Sequence, residues 1–287
     1  MGEALVPLTA STRARRPRDL RAAVTRNAMR VVVVSYLVML IAWPLWLVVR
    51  NTVEGGFSNL SDILGDPDIT HALRLTVKVA VISVIINTVF GVGISILLVR
   101  YNFRGKALLN ALLDIPLSVS PVVVGLALIL VYGGRNGWAG PTLEDAGFEI
   151  IFATPGIVLA TVFVSLPLMI REVVPVLEEI GFEQEQAAFS LGANALQTFR
   201  RITLPSIKWA VVYGVVLSLA RSLGEFGAVK VVSGNVLGKT RTATLVVEEK
   251  YLNFDKGGAY ATAFLLAIVS VACIVVVSII RPGENKR

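Results

Sequence analysis

Cysteine and histidine are almost absent from this sequence. Cys273 is the only cysteine and lies in an apolar run, so an internal disulfide and a Cys-based metal site are both excluded. His71 is the only histidine, which rules out a multi-His metal centre; at the head of an apolar stretch it reads as a lone polar residue with no chemical role. Charge is scarce too. Charged residues fill 16% of the 287 positions, where a soluble chain carries about 25%. Apolarity takes their place, with 55% hydrophobic residues and a mean hydropathy of +0.73. This balance points to a chain embedded in a bilayer rather than a set of soluble domains, and its long apolar stretches make it an all-α membrane protein whose spans share one core. The net charge of +7 does not point to nucleic acid, because basic and aromatic residues are not interleaved. In so apolar a chain, basic residues flank spans.

A spanning helix needs about 20 predominantly apolar residues. Six stretches qualify: 29–49, 73–99, 112–132, 150–170, 209–232 and 259–280. The first is too long for a signal-peptide core and no small-residue cleavage site follows it, so it is expected to stay in the mature protein. Asn87, Gly91 and Gly93 interrupt the second. In the third, Pro116 and Pro121 flank Ser118 and Ser120. Each proline removes an intrahelical hydrogen bond, so the helix is expected to break there. Pro155 and Pro167 raise the same question in the fourth.

Seventeen of the 27 lysines and arginines fall on one side of these spans. They are Arg13, Arg15, Arg16, Arg18, Arg21, Arg26 and Arg30 in the N-terminal tail; Arg100, Arg104, Lys106, Arg171, Arg200, Arg201 and Lys208 in two loops; and Arg281, Lys286 and Arg287 at the end. That side is expected to be cytoplasmic. The chain then divides into a flexible basic tail, 1–28, a membrane domain, 29–281, and a short tail, 282–287, with both termini in the cytoplasm. Lys230, Lys239, Arg241, Lys250 and Lys256 fall on the outer side against this trend. The arginine-rich start of the chain outweighs them, since the first span dominates orientation.

Between the fourth and fifth spans, 171–208, continuous apolarity gives way to helical periodicity. Val173, Leu177, Ile180, Ala187 and Leu191 recur on one side, with Glu178, Glu179, Glu183, Gln186 and Ser190 on other faces. Gly192 is expected to end this first helix, ANALQTFRR to form a second, and Pro205 to start the chain back into the bilayer. A helix lying on anionic lipid would carry a basic polar face. Here Glu178, Glu179, Glu183 and Glu185 make it acidic, so a protein partner fits better.

The segment QAAFSLGANALQTFRRITLP resembles a motif of ABC importer permeases: Glu-Ala-Ala, three residues, Gly, nine residues, Ile-x-Leu-Pro. Ala187, Ala188 and Gly192 match, Ala193 begins the nine residues, and Ile202, Leu204 and Pro205 close the motif. Gln186 stands where the family usually has Glu. The blocks FRGK…DIPLSVSPVVVG, ARSLGEFGAVKVVSG and EKYLNFD extend the likeness over roughly 30–280, to sulfate permeases of the CysW type. The molybdate permeases share a similar ARSLGEFGA segment.

The resemblance implies a type I importer permease fold: six transmembrane helices and a cytoplasmic coupling helix between the fourth and fifth. It implies that this segment docks in a groove of an ATPase subunit, a dimer in the complex, with Leu196 and Phe199 as apolar knobs. It further implies a second, CysT-type permease subunit, an external sulfate-binding protein and a site in the bacterial inner membrane. The permease itself would not be an enzyme and would bind no cofactor; the partner subunit would use ATP with its Mg2+. GNVLGKT, Gly234 to Thr240, is not a phosphate-binding loop, because Ser233 stands where the Walker spacing needs glycine.

Arg221 and Glu225 are four residues apart inside the fifth span, hence on one helix face. A charge at the bilayer centre costs about 2.5–3.5 kcal/mol, so the two are expected to pair with each other or face a polar cavity. Arg221 beside the route of a dianion and a structural ion pair are both open readings. Freed amides and hydroxyls around Ser118 and Ser120 could likewise line an anion route, or mark only a packed kink. An ion-coupled secondary transporter would need intramembrane carboxylates and inverted repeats. The spans hold only Glu225, with Asp114 at an edge, and show no half-to-half repeat. A docking scaffold without transport would leave Arg221 and Glu225 unexplained unless they form a structural pair.

Overall fold

The computed structural model describes residues 20–54, 63–134 and 136–279. Most of the N-terminal tail and all of 282–287 lie outside the described residues. The chain divides into two compact units, 1–47 and 48–287.

Helix α1 of the first unit, Leu20–Leu37, passes through a π-turn, Val38–Ala42, into α2, Trp43–Glu54, whose residues from Val48 on belong to the second unit. Helix therefore begins within the stretch expected to be flexible tail. The π-turn stands directly before Trp43 and Pro44, and the Trp43 N–H donates to the Val38 carbonyl five residues back. A proline ring collides with the carbonyl four residues before it, and widening one turn moves that carbonyl aside. The same device recurs later, where the Leu204 N–H donates to the Phe199 carbonyl just before Pro205.

The second unit is built on three long helices: α3, Pro67–Arg100; α7, Thr154–Ile180; and α10, Leu204–Leu223. Each packs against the other two. Their apolar layers run from Ala80, Val84, Leu219 and Leu223 at one level to Val92, Met169, Val173, Leu177, Ile207 and Ala210 at another. Between lipid tails this packing gains little from excluding water, so close fit and interhelical hydrogen bonds carry the association. Around these three lie α4, Lys106–Ser118; α5, Pro121–Tyr132; α6, Gly140–Asp145; α11, Gly227–Val232; α12, Ala243–Leu252; and α13, Lys256–Ile279.

Among the described residues, five helices are long and apolar enough to cross a membrane: Asn27–Val53, Pro67–Arg100, Thr154–Ile180, Ala195–Leu223 and Lys256–Val277. The third expected span is a bent pair, Lys106–Ser118 and Pro121–Tyr132, with 117° between them. The expected break thus falls at Val119–Ser120, and Pro121 opens the new helix, where its missing N–H costs nothing.

Two expectations fail. The fourth span does not stop at 170 but continues to Ile180, because Pro167 and Pro175 are absorbed within one 27-residue helix. The fifth does not run unbroken to 232: α10 ends at Leu223, and α11 starts at Gly227 after Gly224, Glu225 and Phe226. The two half-helices that follow the breaks meet. Val124 of α5 packs with Ala228 and Val232 of α11, and Gly227 abuts Pro121 so closely that a Cβ there would lie 3.0 Å from the Pro121 Cβ.

Candidate functional site

The segment between the fourth and fifth spans does not start as a helix of its own. Residues 171–180 belong to α7, which ends at Gly181 with φ 71°. A new helix, α8, then spans Glu183–Ser190. The single amphipathic helix expected up to Leu191 is therefore two, divided at Gly181. The four glutamates do not share a face: Glu178, Glu179 and Glu183 are exposed, while Glu185 turns inward.

Gly192 ends α8 as expected, and the structure gives the reason. The Ala193 N–H reaches the Ala188 carbonyl at 3.0 Å, and the Gly192 N–H reaches the Phe189 carbonyl at 3.0 Å. Together with φ 85° at Gly192 this is a complete Schellman cap, whose turning residue needs the left-handed region that glycine enters freely. Two residues on, Asn194 starts α9, Ala195–Thr198, with a reciprocal capping box. The Asn194 carboxamide accepts the Gln197 N–H at 2.9 Å and the Gln197 side chain accepts the Asn194 N–H at 2.9 Å. The Asn-x-x-Gln spacing is a readable helix-start signal beside the motif's glycine and proline. No separate second helix closes the segment, because α9 continues through the π-turn Phe199–Thr203 into α10.

This cap and box set the motif residues in two groups. Gln186, Ala187, Gly192 and Leu196 are exposed, as are Leu204 and Pro205, with Leu191 at 89% exposure and Leu196 at 65%. Ala188 is buried, and Ala193 and Ile202 are half-buried. Phe199 is not a free knob: it packs into the apolar layer of Val92, Met169, Val173 and Leu177. The exposed large apolar side chains of the segment include Phe182 and Leu204, with Phe189, Leu191 and Leu196 the most exposed.

Arg221 and Glu225 do pair, with Nη1 2.9 Å from Oε2. They do so across the helix end rather than along one face, since Glu225 lies beyond the Gly224 cap. The other Glu225 oxygen accepts the Ala228 N–H at 3.0 Å, so the carboxylate also caps the start of α11. Its side chain is 2% exposed, against 38% for Arg221. Ser118 donates to its own helix at the Asp114 carbonyl, and Ser120 precedes α5 without a side-chain cap. Both serines are exposed, and among the described residues no hydrogen bond joins either to Arg221 or Glu225. Asp114 pairs with Arg171, tying α4 to α7.

The sequence reading passed over a buried polar cluster. Asn87 of α3 donates to Ser165 of α7 at 2.7 Å and to Ser218 of α10 at 3.1 Å, and Ser222 donates to Ser165 at 3.3 Å. Asn87, Ser165 and Ser218 are fully buried. Asn87 in an apolar run was the one signal in the sequence, because a carboxamide facing lipid would be left unsatisfied.

Residues 87–284 match the family described as "Binding-protein-dependent transport system inner membrane component". The chain belongs to that family. It is 48% identical to the "Sulfate transport system permease protein CysW" of Synechococcus elongatus over 254 residues, covering 88% of each chain. It is 34% identical to the "Sulfate transport system permease protein CysT" of Salmonella typhimurium, covering 88% of this chain and 91% of that one. The fold matches the crystal structure of a bacterial ABC transporter involved in the import of the acidic polysaccharide alginate. That match has a TM-score of 0.78 at 14% identity and covers 93% of this chain and 98% of the other. This inner-membrane component is thus a multi-pass helical permease of the type I importer fold.

Proposed function

We propose that this permease forms part of the translocation path of an ATP-driven sulfate importer, thiosulfate being a second substrate. The observation that carries the substrate is the likeness to sulfate permeases, which runs through nearly the whole chain. The exposed apolar side chains of 186–205 supply the surface for the ATPase subunits. Phe189, Leu191 and Leu196 project from two short helices fixed by a Schellman cap and a capping box, the arrangement of a helix that inserts into a groove. A second, CysT-like permease would complete the path, and an external binding protein would deliver the anion. Both termini and the 181–203 segment then face the cytoplasm, the orientation that the lysine and arginine majority favours.

In this reading Arg221 meets the dianion. Its guanidinium spends one nitrogen on Glu225, leaving further N–H donors on a side chain that is 38% exposed. The pairing lowers the cost of holding a cation at that depth. The exposed Ser120 hydroxyl at the α4–α5 break would add a neutral donor, while the Ser118 proton is already given to the Asp114 carbonyl.

Reconstitution of the complex in proteoliposomes, with ATP inside and binding protein outside, tests the proposal. Radiolabelled sulfate uptake that requires both ATP and the ATPase subunit is the expected result. Uptake without the ATPase subunit would defeat it, and a strong preference for molybdate or tungstate would move the permease to that class of oxyanion importer.

A further inference from the structure

Arg100 is the last residue of α3, at the end of the helix that lies beside the 181–203 segment. Its side chain is 8% exposed, and both terminal guanidinium nitrogens donate hydrogen bonds. Nη2 donates to Glu185 Oε1 at 3.2 Å, and Nε lies 2.9 Å from Oε2 as an ion-pair contact without a hydrogen bond of its own. Nη1 donates to the Leu177 carbonyl at 3.1 Å, one of the last four carbonyls of α7, which have no partner within that helix. The guanidinium carbon, Cζ, lies 4.6 Å from the Phe182 ring centre, over the ring of a residue in the link between α7 and α8. Glu185 Oε1 also accepts the Thr203 hydroxyl at 2.7 Å, reaching the π-turn that leads into α10. One buried ion pair therefore joins the short helix α8 to the ends of all three long helices.

We propose that Arg100 and Glu185 are the joint that makes the coupling segment move as one body with α3, α7 and α10. They are positioning residues: neither is required to touch sulfate or ATP. A segment attached only through Gly181 at one end and a π-turn at the other could swing when pulled, and the ATPase stroke would be absorbed locally. The rigid guanidinium, bonded at one end to Glu185 and at the other to Leu177 and held over Phe182, fixes distance and angle together, which a single flexible charge cannot do. This placement also accounts for Gln186. The carboxylate that the segment keeps inside is one residue earlier, at Glu185, while Gln186 is exposed. The role in transport rests on the importer reading above.

The test measures sulfate uptake and ATP hydrolysis side by side in proteoliposomes holding the full complex. Arg100→Gln and Glu185→Gln should each lower the uptake per ATP hydrolysed by about tenfold, in the range of ordinary coupling between sites. The ATPase subunits should still co-purify. Arg100→Lys should restore only part of the loss, and Arg100→Gln with Glu185→Gln should be no worse than either alone. Unchanged uptake per ATP in the single variants, or strictly additive losses in the double variant, would overturn the joint.

A second readout needs no transport. In a Cys273→Ser background, spin labels at Asn102 and Gln184 of the permease in lipid nanodiscs report the distance between the α3 end and α8. Arg100→Gln should broaden that distribution, and an unchanged width overturns the proposal. If the unmutated complex takes up no sulfate, the importer reading fails while this measurement still decides the joint.

Discussion

Met169 sits between two glycines of neighbouring helices: a Cβ added at Gly91 would lie 2.5 Å from its Cγ, and one at Gly214 would lie 2.5 Å from its Sδ. Met169 is fully buried and belongs to α7, while Gly91 and Gly214 belong to α3 and α10. One turn away on all three helices stands the Asn87–Ser165–Ser218 cluster. The three spans are thus locked by shape at one level and by hydrogen bonds at the next.

Gly91→Leu should overpack this level and destabilise the permease by about 1–3 kcal/mol. Thermal unfolding in detergent would show a lower Tm, and adding Met169→Ala should recover much of the loss. Failure of that second change to help would mean that Met169 is not the obstacle.

Asn87→Ala should cost about 0.6–1.7 kcal/mol in interhelical hydrogen bonding, the range measured for such bonds in membranes. Combined with Ser165→Ala, the loss should fall short of the sum of the two single changes, because they remove the same bond. Denaturant titration in mixed micelles measures all three.

Gly192→Val should abolish the Schellman cap, since a β-branched residue at φ 85° is strained by about 1–3 kcal/mol. ATP-dependent uptake should fall while the protein still inserts into the membrane at its normal level. Gly192→Asn, which tolerates this conformation, should retain more activity.

Arg221→Gln strands the Glu225 carboxylate, whose side chain is 2% exposed, and should destabilise the protein by about 3 kcal/mol. Arg221→Gln with Glu225→Gln should be more stable than Arg221→Gln alone. If Arg221 meets the anion, sulfate uptake should remain low in both variants even where stability returns.

Asp255 caps α13, its carboxylate accepting the Gly258 N–H at 2.9 Å with Lys250 Nζ 3.1 Å away. The Gly258 amide above all, aided by Lys250, holds this carboxyl below its usual range despite the opposing effect of burial. A lowered folded-state value stabilises the fold above the ordinary carboxylate range, and that stability is lost as pH falls through the lowered value. Asp255→Ala should cost about 1 kcal/mol near neutral pH and less in acid. Asp255→Asn keeps a capping oxygen and should flatten the acid dependence with a smaller loss. Unfolding followed from neutral to acid pH distinguishes the two.

The sequence by itself determined the class of protein, the number of apolar stretches, the break between Pro116 and Pro121 and the stop at Gly192. Each of these rests on properties that act locally: apolar length against bilayer thickness, a missing N–H, and the left-handed region open to glycine. The tertiary structure decided what local chemistry leaves open. Pro167 and Pro175 lie inside a helix while Gly224 ends one, a difference that surrounding packing makes and residue preference does not. The inward turn of Glu185, the burial of Phe199 and the meeting of Asn87 with Ser165 and Ser218 depend on residues 18 to 131 positions apart. Such pairings follow from how three helices cross, because a polar group in the apolar interior is satisfied only by whatever the neighbouring helix brings to the same level.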